Sequence, residues 1–271
     1  MGLQYKQAVS KFDKKDGIIA LCIYAWVILY NTPGVPIAPW WLGVVGGFGL
    51  HVVLANFIAA YTVFVLPCIV ITIIGKRGFA SMGFRAKNLW PALRLGLVFS
   101  AITLVLFGNF FHGIIQGWEL FPFAVIINGL LLTLVFAAWE DIVLMGFIQP
   151  RIYGLIKKDA LAVLTVALMF AFMHIPPWLY SGQFVLTDVF SWLIFAGWVG
   201  NFIAWNMIFR RYFSIWPVIM LHTVMNFAPE GLWAVRGQGL GFNVVSVVLW
   251  LVIYGWAWFT YRLSYKEQKK I

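Results

Sequence analysis

Charge is what this chain of 271 residues has least of: Asp, Glu, Lys and Arg make up 10%, against 63% hydrophobic residues, and the mean hydropathy is +0.91. A soluble domain carries about a quarter charged residues, so this deficit excludes one and points to a polytopic membrane protein. Only two cysteines occur, Cys22 and Cys68, both inside apolar runs and without metal or redox spacing. They are expected as buried free thiols, which excludes a disulfide scaffold and a cysteine-ligated metal centre. Also missing are H-E-x-x-H, G-x-S-x-G after a strand, and a glycine motif that could cradle phosphate. Their absence sets aside the common zinc-protease helix, the nucleophile elbow and nucleotide binding. Acidic residues number nine, so a carboxylate within an apolar run is informative.

What the chain does have is a series of apolar stretches long enough to cross a bilayer, each needing about 20 residues. Candidate spans lie at about 17–38, 44–74, 91–110, 121–148, 160–177, 187–208, 213–229 and 241–262. The basic residues punctuate them. Lys6, Lys11, Lys14 and Lys15 precede the first span, and Lys76, Arg77, Arg85 and Lys87 follow the second. Arg94 lies just inside the third. Arg151, Lys157 and Lys158 follow the fourth, Arg210 and Arg211 the sixth, and Arg262, Lys266, Lys269 and Lys270 the eighth. Of 19 Lys and Arg residues only Arg236 falls in an intervening loop, which leaves 18 on one side. Such alternation predicts an all-α polytopic membrane bundle of about eight transmembrane helices with both termini cytoplasmic. It also disposes of the net charge of +10 as a nucleic-acid signal, so no nucleic-acid partner is expected. Residues 1–271 read as a single integral membrane domain. The short loops suggest a prokaryotic plasma membrane protein.

Glu140 and Asp141 interrupt the fourth span. A charged side chain in hydrocarbon costs roughly 2.5–3.5 kcal/mol on insertion scales, so such a group faces a polar, protein-lined cavity and marks a functional site. The pair lies roughly 15 Å of helix from Arg151, and neighbouring helix positions diverge by about 100°. One carboxylate, Glu140, is therefore expected to serve chemistry and the other, Asp141, structure. His174 ends the fifth apolar run, and Pro176-Pro177 is expected to stop that helix two residues later. Phe170, one turn before it, can shield its ring on the same face. His222 and Asn226 share a face of the seventh span at i, i+4 and could hold a developing oxyanion. His51 and His112 have no paired acid and read as structural or interfacial. A Glu with two His could hold a metal, or could activate water directly.

The residues resemble a known family. The run Glu140-Asp141-Ile142-Val143-Leu144-Met145-Gly146-Phe147 is similar to E-E-x-x-x-R-G-F, the first motif of the CAAX-protease and bacteriocin-processing family, glutamic intramembrane proteases of the Ras-converting-enzyme type. Phe170-Ala171-Phe172-Met173-His174 is similar to its second motif, F-x-x-x-H. Ser214-Ile215-Trp216-Pro217 leads to His222-Thr223-Val224-Met225-Asn226, similar to H-x-x-x-N. Together they cover about residues 75–230 as a catalytic core.

The resemblance implies an intramembrane endopeptidase without cofactor or metal. Its substrate would be a membrane-associated peptide or protein, with or without a prenyl group, met at the lipid bilayer. Glu140, helped by His174, would activate water, and His222 with Asn226 would stabilise the oxyanion. Two positions depart from the motif. Its second Glu is Asp141 and its Arg is Met145, i, i+4 on one helix, the spacing of an ion pair. Losing that pair changes what supports Glu140 and suggests a substrate other than a C-terminal CAAX tail. It also leaves room for a non-catalytic scaffold or immunity factor. A metal-dependent membrane hydrolase and a proton-coupled transporter are further alternatives, the transporter opposed by the lack of an internal repeat. Counting from the basic loops places His174 roughly 7–8 Å deeper than Glu140 and His222, an offset that helix tilt, or a fifth helix starting on the cytoplasmic side of the bilayer, could remove.

Overall fold

The computed structural model describes residues 3–34, 52–85 and 118–227, with short fragments at 89–90, 93–94, 97–98, 101, 233–235 and 255. A short helix, α1 (Leu3–Val9), and the 18-residue α2 (Lys14–Asn31) open the chain. Asp13 caps α2 with a capping box: its Oδ1 accepts from Asp16 N–H at 3.0 Å, and Asp16 Oδ2 accepts from Asp13 N–H at 3.1 Å. That bond from Asp16 holds the Asp13 carboxyl below the ordinary carboxylate range. Asp16 also takes Arg77 Nη2 at 2.8 Å, which staples the start of α2 to the chain beyond the second span.

Four helical rods among the described residues are long and apolar enough to cross a membrane: Val53–Ile74, Phe123–Ile152, Asp159–Tyr180 and Val189–Tyr212. The first comprises α3 (Val52–Ala60), a π-helical turn (Tyr61–Val65) and α4 (Leu66–Ile74). The second comprises α5 (Phe123–Glu140), a π-helical stretch (Asp141–Ile148) and α6 (Gln149–Ile152). The others are α7 (Asp159–Tyr180) and α8 (Val189–Tyr212), and α9 (Trp216–Phe227) follows. A two-stranded ribbon pairs β1 (Trp118–Leu120) antiparallel with β2 (Trp233–Val235). The molecule is an all-helical membrane bundle apart from this ribbon.

The rod Phe123–Ile152 is the axis. Every residue from Asp141 to Tyr153 is buried, with α2, α7 and α9 packed around the rod. Gly146 lets a neighbour approach there, since a Cβ would stand 2.9 Å from the carbonyl oxygen of Met82 in the turn Phe79–Met82. The adjoining Phe147 is fully buried under the Arg151 guanidinium, 3.7 Å from its ring centroid. These contacts explain a glycine followed by an aromatic at the end of the first motif. Gly154 serves similarly: a Cβ would collide with the Asp13 carbonyl, so the turn after α6 tucks beneath α2.

Several expectations need correction. α7 runs through Pro176-Pro177 to Tyr180 rather than stopping. Proline's fixed φ suits a helix, and only two donors are lost near its end, where Trp178 packs on Trp198. Arg151 and Arg210, expected in loops, are 1% and 4% exposed. Arg151 donates to Phe147 O at 3.1 Å and Thr72 Oγ1 at 2.9 Å, and Arg210 pairs with Asp159. Buried cations need such partners. Cys68 is buried as expected, but Cys22 is exposed, and both are free. The seventh expected span corresponds to α9, described from Trp216 to Phe227. His51, His112, most of the third span and the eighth span lie outside the described residues. The count of eight and the side of the termini rest on the sequence.

Candidate active site

Glu140 ends α5 at the point where the hydrogen-bond ladder changes from α to π. Beyond it the bonds skip five residues, as where Gln149 N–H donates to Leu144 O. Single π turns are frequent at functional sites, and here eight residues follow one another in that state.

From this junction three side chains converge. Glu140 Oε2 lies 3.7 Å from His222 Nε2 and 3.9 Å from His174 Nε2. Both separations exceed a hydrogen bond and stay within reach of one bridging water or substrate atom. The side chains of Glu140 and His174 keep 13% and 20% exposure, whereas that of His222 keeps 3%. Glu140 and His174 therefore form the open side of the site and His222 its wall.

The other ring nitrogens fix the imidazoles. His174 Nδ1 lies 2.8 Å from Phe170 O, and since a carbonyl only accepts, that nitrogen carries the proton. Its Nε2 then presents a lone pair toward Glu140. His222 Nδ1 lies 3.3 Å from Asp141 Oδ1, so a doubly protonated His222 has a carboxylate facing each nitrogen. The consecutive carboxylates reach opposite sides of one ring, which is how their divergence is used. Asp141 is 1% exposed, and its expected structural part takes the form of holding His222. Met145 is wholly buried and has no polar group for Asp141, whose Oδ2 has no hydrogen-bond partner among the described residues.

Phe170 sets its edge or face against both imidazoles, 4.9 Å from His174 and 5.9 Å from His222 between centroids, each T-shaped. The spacing Phe170–His174 thus yields a ring contact as expected. Asn226 is exposed, and no side-chain hydrogen bond ties it to the site among the described residues. It shares its helix with His222 but is not drawn to Glu140 as the other three are. The depth offset expected for His174 is not realised. Residue counting took all basic loops as level, whereas Lys157 before α7 reaches back to Phe12 O at 3.4 Å.

Two tryptophans of α8 were not singled out in the sequence. Trp198 stacks on His174, and Trp205 packs tilted against His222. The available signal was position for Trp198 alone, which stands mid-span, away from the interfacial belt that Trp usually occupies. Trp205 lies three residues from the expected end of its span. Among the described residues no group of three His, Cys, Asp or Glu side chains is arranged to hold a metal ion.

Residues 122–228 match a family model described as Rce1-like, type II CAAX prenyl endopeptidase. The match contains Glu140, Asp141, Met145, Phe170, His174, His222 and Asn226. No curated protein and no solved structure matches the chain.

Proposed function

We propose that this chain, a member of the CAAX prenyl endopeptidase family through residues 122–228, is an intramembrane endopeptidase of the glutamic type. The observation that carries the reading is the single carboxylate oxygen of Glu140 facing the Nε2 atoms of both His174 and His222. A water donating one proton to Glu140 Oε2 and the other to His174 Nε2 is oriented and polarised for attack. As its oxygen bonds to the scissile carbonyl carbon, its proton passes to Glu140. The carbonyl oxygen takes the negative charge and is met by the Nε2–H of a doubly protonated His222. Collapse of the tetrahedral intermediate breaks the C–N bond, and Glu140 returns the proton to the leaving amine. Positioned acid–base catalysis of this kind contributes about 10²–10⁴ in rate.

The substrate is a membrane-associated peptide, entering from the bilayer so that its apolar part lies against the aromatic wall. Met145 in place of the motif's Arg removes a cation from that helix, so a free terminal carboxylate is not required. The experiment is cleavage by purified protein in liposomes of fluorogenic peptides, prenylated or not, each with a free or amidated C-terminus. Chelator-resistant cleavage of prenylated peptides irrespective of amidation is expected, and lost in Glu140→Gln. Strict dependence on the free carboxylate would contradict the specificity. A folded protein that cleaves nothing would favour the scaffold reading, for which the departures at Asp141 and Met145 speak. Sensitivity to the chelator would favour a metal held by Glu140, His174 and His222.

A further inference from the structure

α8 presents Trp198, Phe202 and Trp205 at i, i+4 and i+7, the spacing of one helix face. Each side chain meets one ring of the site. Trp198 lies 4.8 Å from the His174 centroid with 26° between planes, and Trp205 lies 4.4 Å from that of His222 at 32°. Phe202 lies 5.2 Å from Phe170, the ring that touches both imidazoles. Trp205 is 2% exposed and also contacts Phe170, 5.8 Å away and T-shaped. Trp178 braces Trp198 edge-on at 4.7 Å. The two histidines belong to different helices, α7 and α9, and Phe170 of α7 meets both rings only edge to face. α8 supplies a common reference for their planes.

We infer that Trp198 and Trp205 are positioning residues for the proposed peptidase reaction: a two-rung indole ladder that holds both imidazole planes so that their Nε2 atoms face Glu140. The inference rests on the catalytic reading of Glu140, His174 and His222. Its physical basis is twofold. A buried ring stacked on an indole cannot turn partway about its Cβ–Cγ bond without losing the contact, so its plane is fixed. The Nδ1 contacts to Phe170 O and Asp141 Oδ1 select the flip that points Nε2 to Glu140. The indole face also attracts a cation, and Trp is the best of the aromatic side chains at this. That attraction favours the doubly protonated His222 whose Nε2–H meets the oxyanion, so losing it acts on kcat.

The test measures kcat and KM separately on one prenylated peptide in liposomes. The variants are Trp198→Leu, Trp205→Leu, the corresponding Phe variants, and Glu140→Gln. Trp192→Leu is the control on the same helix, since Trp192 packs on Phe184 and Phe195 and on neither histidine. Each Leu variant is expected to lose about 10–100-fold in kcat, the order that misplacing reacting groups by an ångström costs, with KM nearly unchanged. The Phe variants, which keep an aromatic face, should recover most of the loss. Trp192→Leu should match wild type. Equal losses in Leu and Phe variants, a change confined to KM, or full activity in the Leu variants overturns the ladder. Were the Leu variants not to fold, wild-type protein labelled at histidine Cε1 decides. Two of its four imidazole signals must be displaced upfield by indole ring currents, and ordinary positions for all four overturn the proposal. Activity surviving in Glu140→Gln would instead refute the catalytic reading itself, so the two failures are distinguishable.

Discussion

Two levels of this bundle hold buried ionisable groups, and they treat them oppositely. At the end carrying the basic loops, cations are bound by defined partners. Arg210 pairs with Asp159, Arg77 with Asp16, and Arg151 donates to Phe147 O and Thr72 Oγ1. Except for Arg151 to Phe147 O, these links join segments far apart in the chain. At the level of Glu140 the groups gather without closing. Glu140 Oε2 stands 3.7 and 3.9 Å from the two imidazoles and has no hydrogen-bond partner among the described residues. Hydrogen bonds made tightly contribute to the fold, whereas polar groups held near one another but unbonded are destabilising and remain free for a reactant. The difference teaches where this chain spends stability and where it gains it.

Mutation can break the contrast. Glu140→Gln has the largest expected effect, a loss of about 10³–10⁴-fold in cleavage rate, with thermal stability unchanged or slightly raised because an uncompensated carboxylate is gone. His222→Ala removes both the expected oxyanion donor and the partner of Asp141, and about 10²–10³-fold in kcat should go with it. Asp141→Asn keeps the shape but not the charge beside His222 Nδ1, and a loss nearer 10–100-fold is expected, read from kcat on the same peptide. At the other level, Arg210→Met should leave the rate per folded molecule near wild type. It strands Asp159 without its partner, so it should lower stability by about 3 kcal/mol, less than a fully buried pair because Asp159 keeps one third of its exposure. Arg77→Ala, at a partly exposed pair, should cost under about 1 kcal/mol in the same denaturation experiment.

Much of this contrast was legible in the sequence, and unevenly so. The carboxylates declared themselves because charge in an apolar run is costly, and the histidines because their spacing to Phe170 and Asn226 repeats a helical face. Their convergence was not legible. Residue counting assumes level helix starts, and the segment after α6 is drawn under α2 by the close approach at Gly154. The π-helical stretch was hidden too, because apolar residues such as Ile142, Val143 and Leu144 carry no signal that separates π from α bonding. Arg151 and Arg210 were read as loop cations on charge pattern alone; their burial depends on Thr72 and Asp159, distant in sequence. The ladder Trp198–Trp205 was missed for a related reason: an aromatic at helical spacing predicts a packed face without saying which ring it packs against.

The division of labour is tested most directly by measuring cleavage rate per folded molecule and melting temperature for Glu140→Gln and Arg210→Met together in one detergent preparation. Glu140→Gln should melt with the wild type and cleave nothing, and Arg210→Met should melt early while its folded fraction cleaves normally. Residual cleavage by Glu140→Gln within about tenfold of wild type would contradict the assignment of Glu140 as the base, since a positioned base contributes at least about 10²-fold.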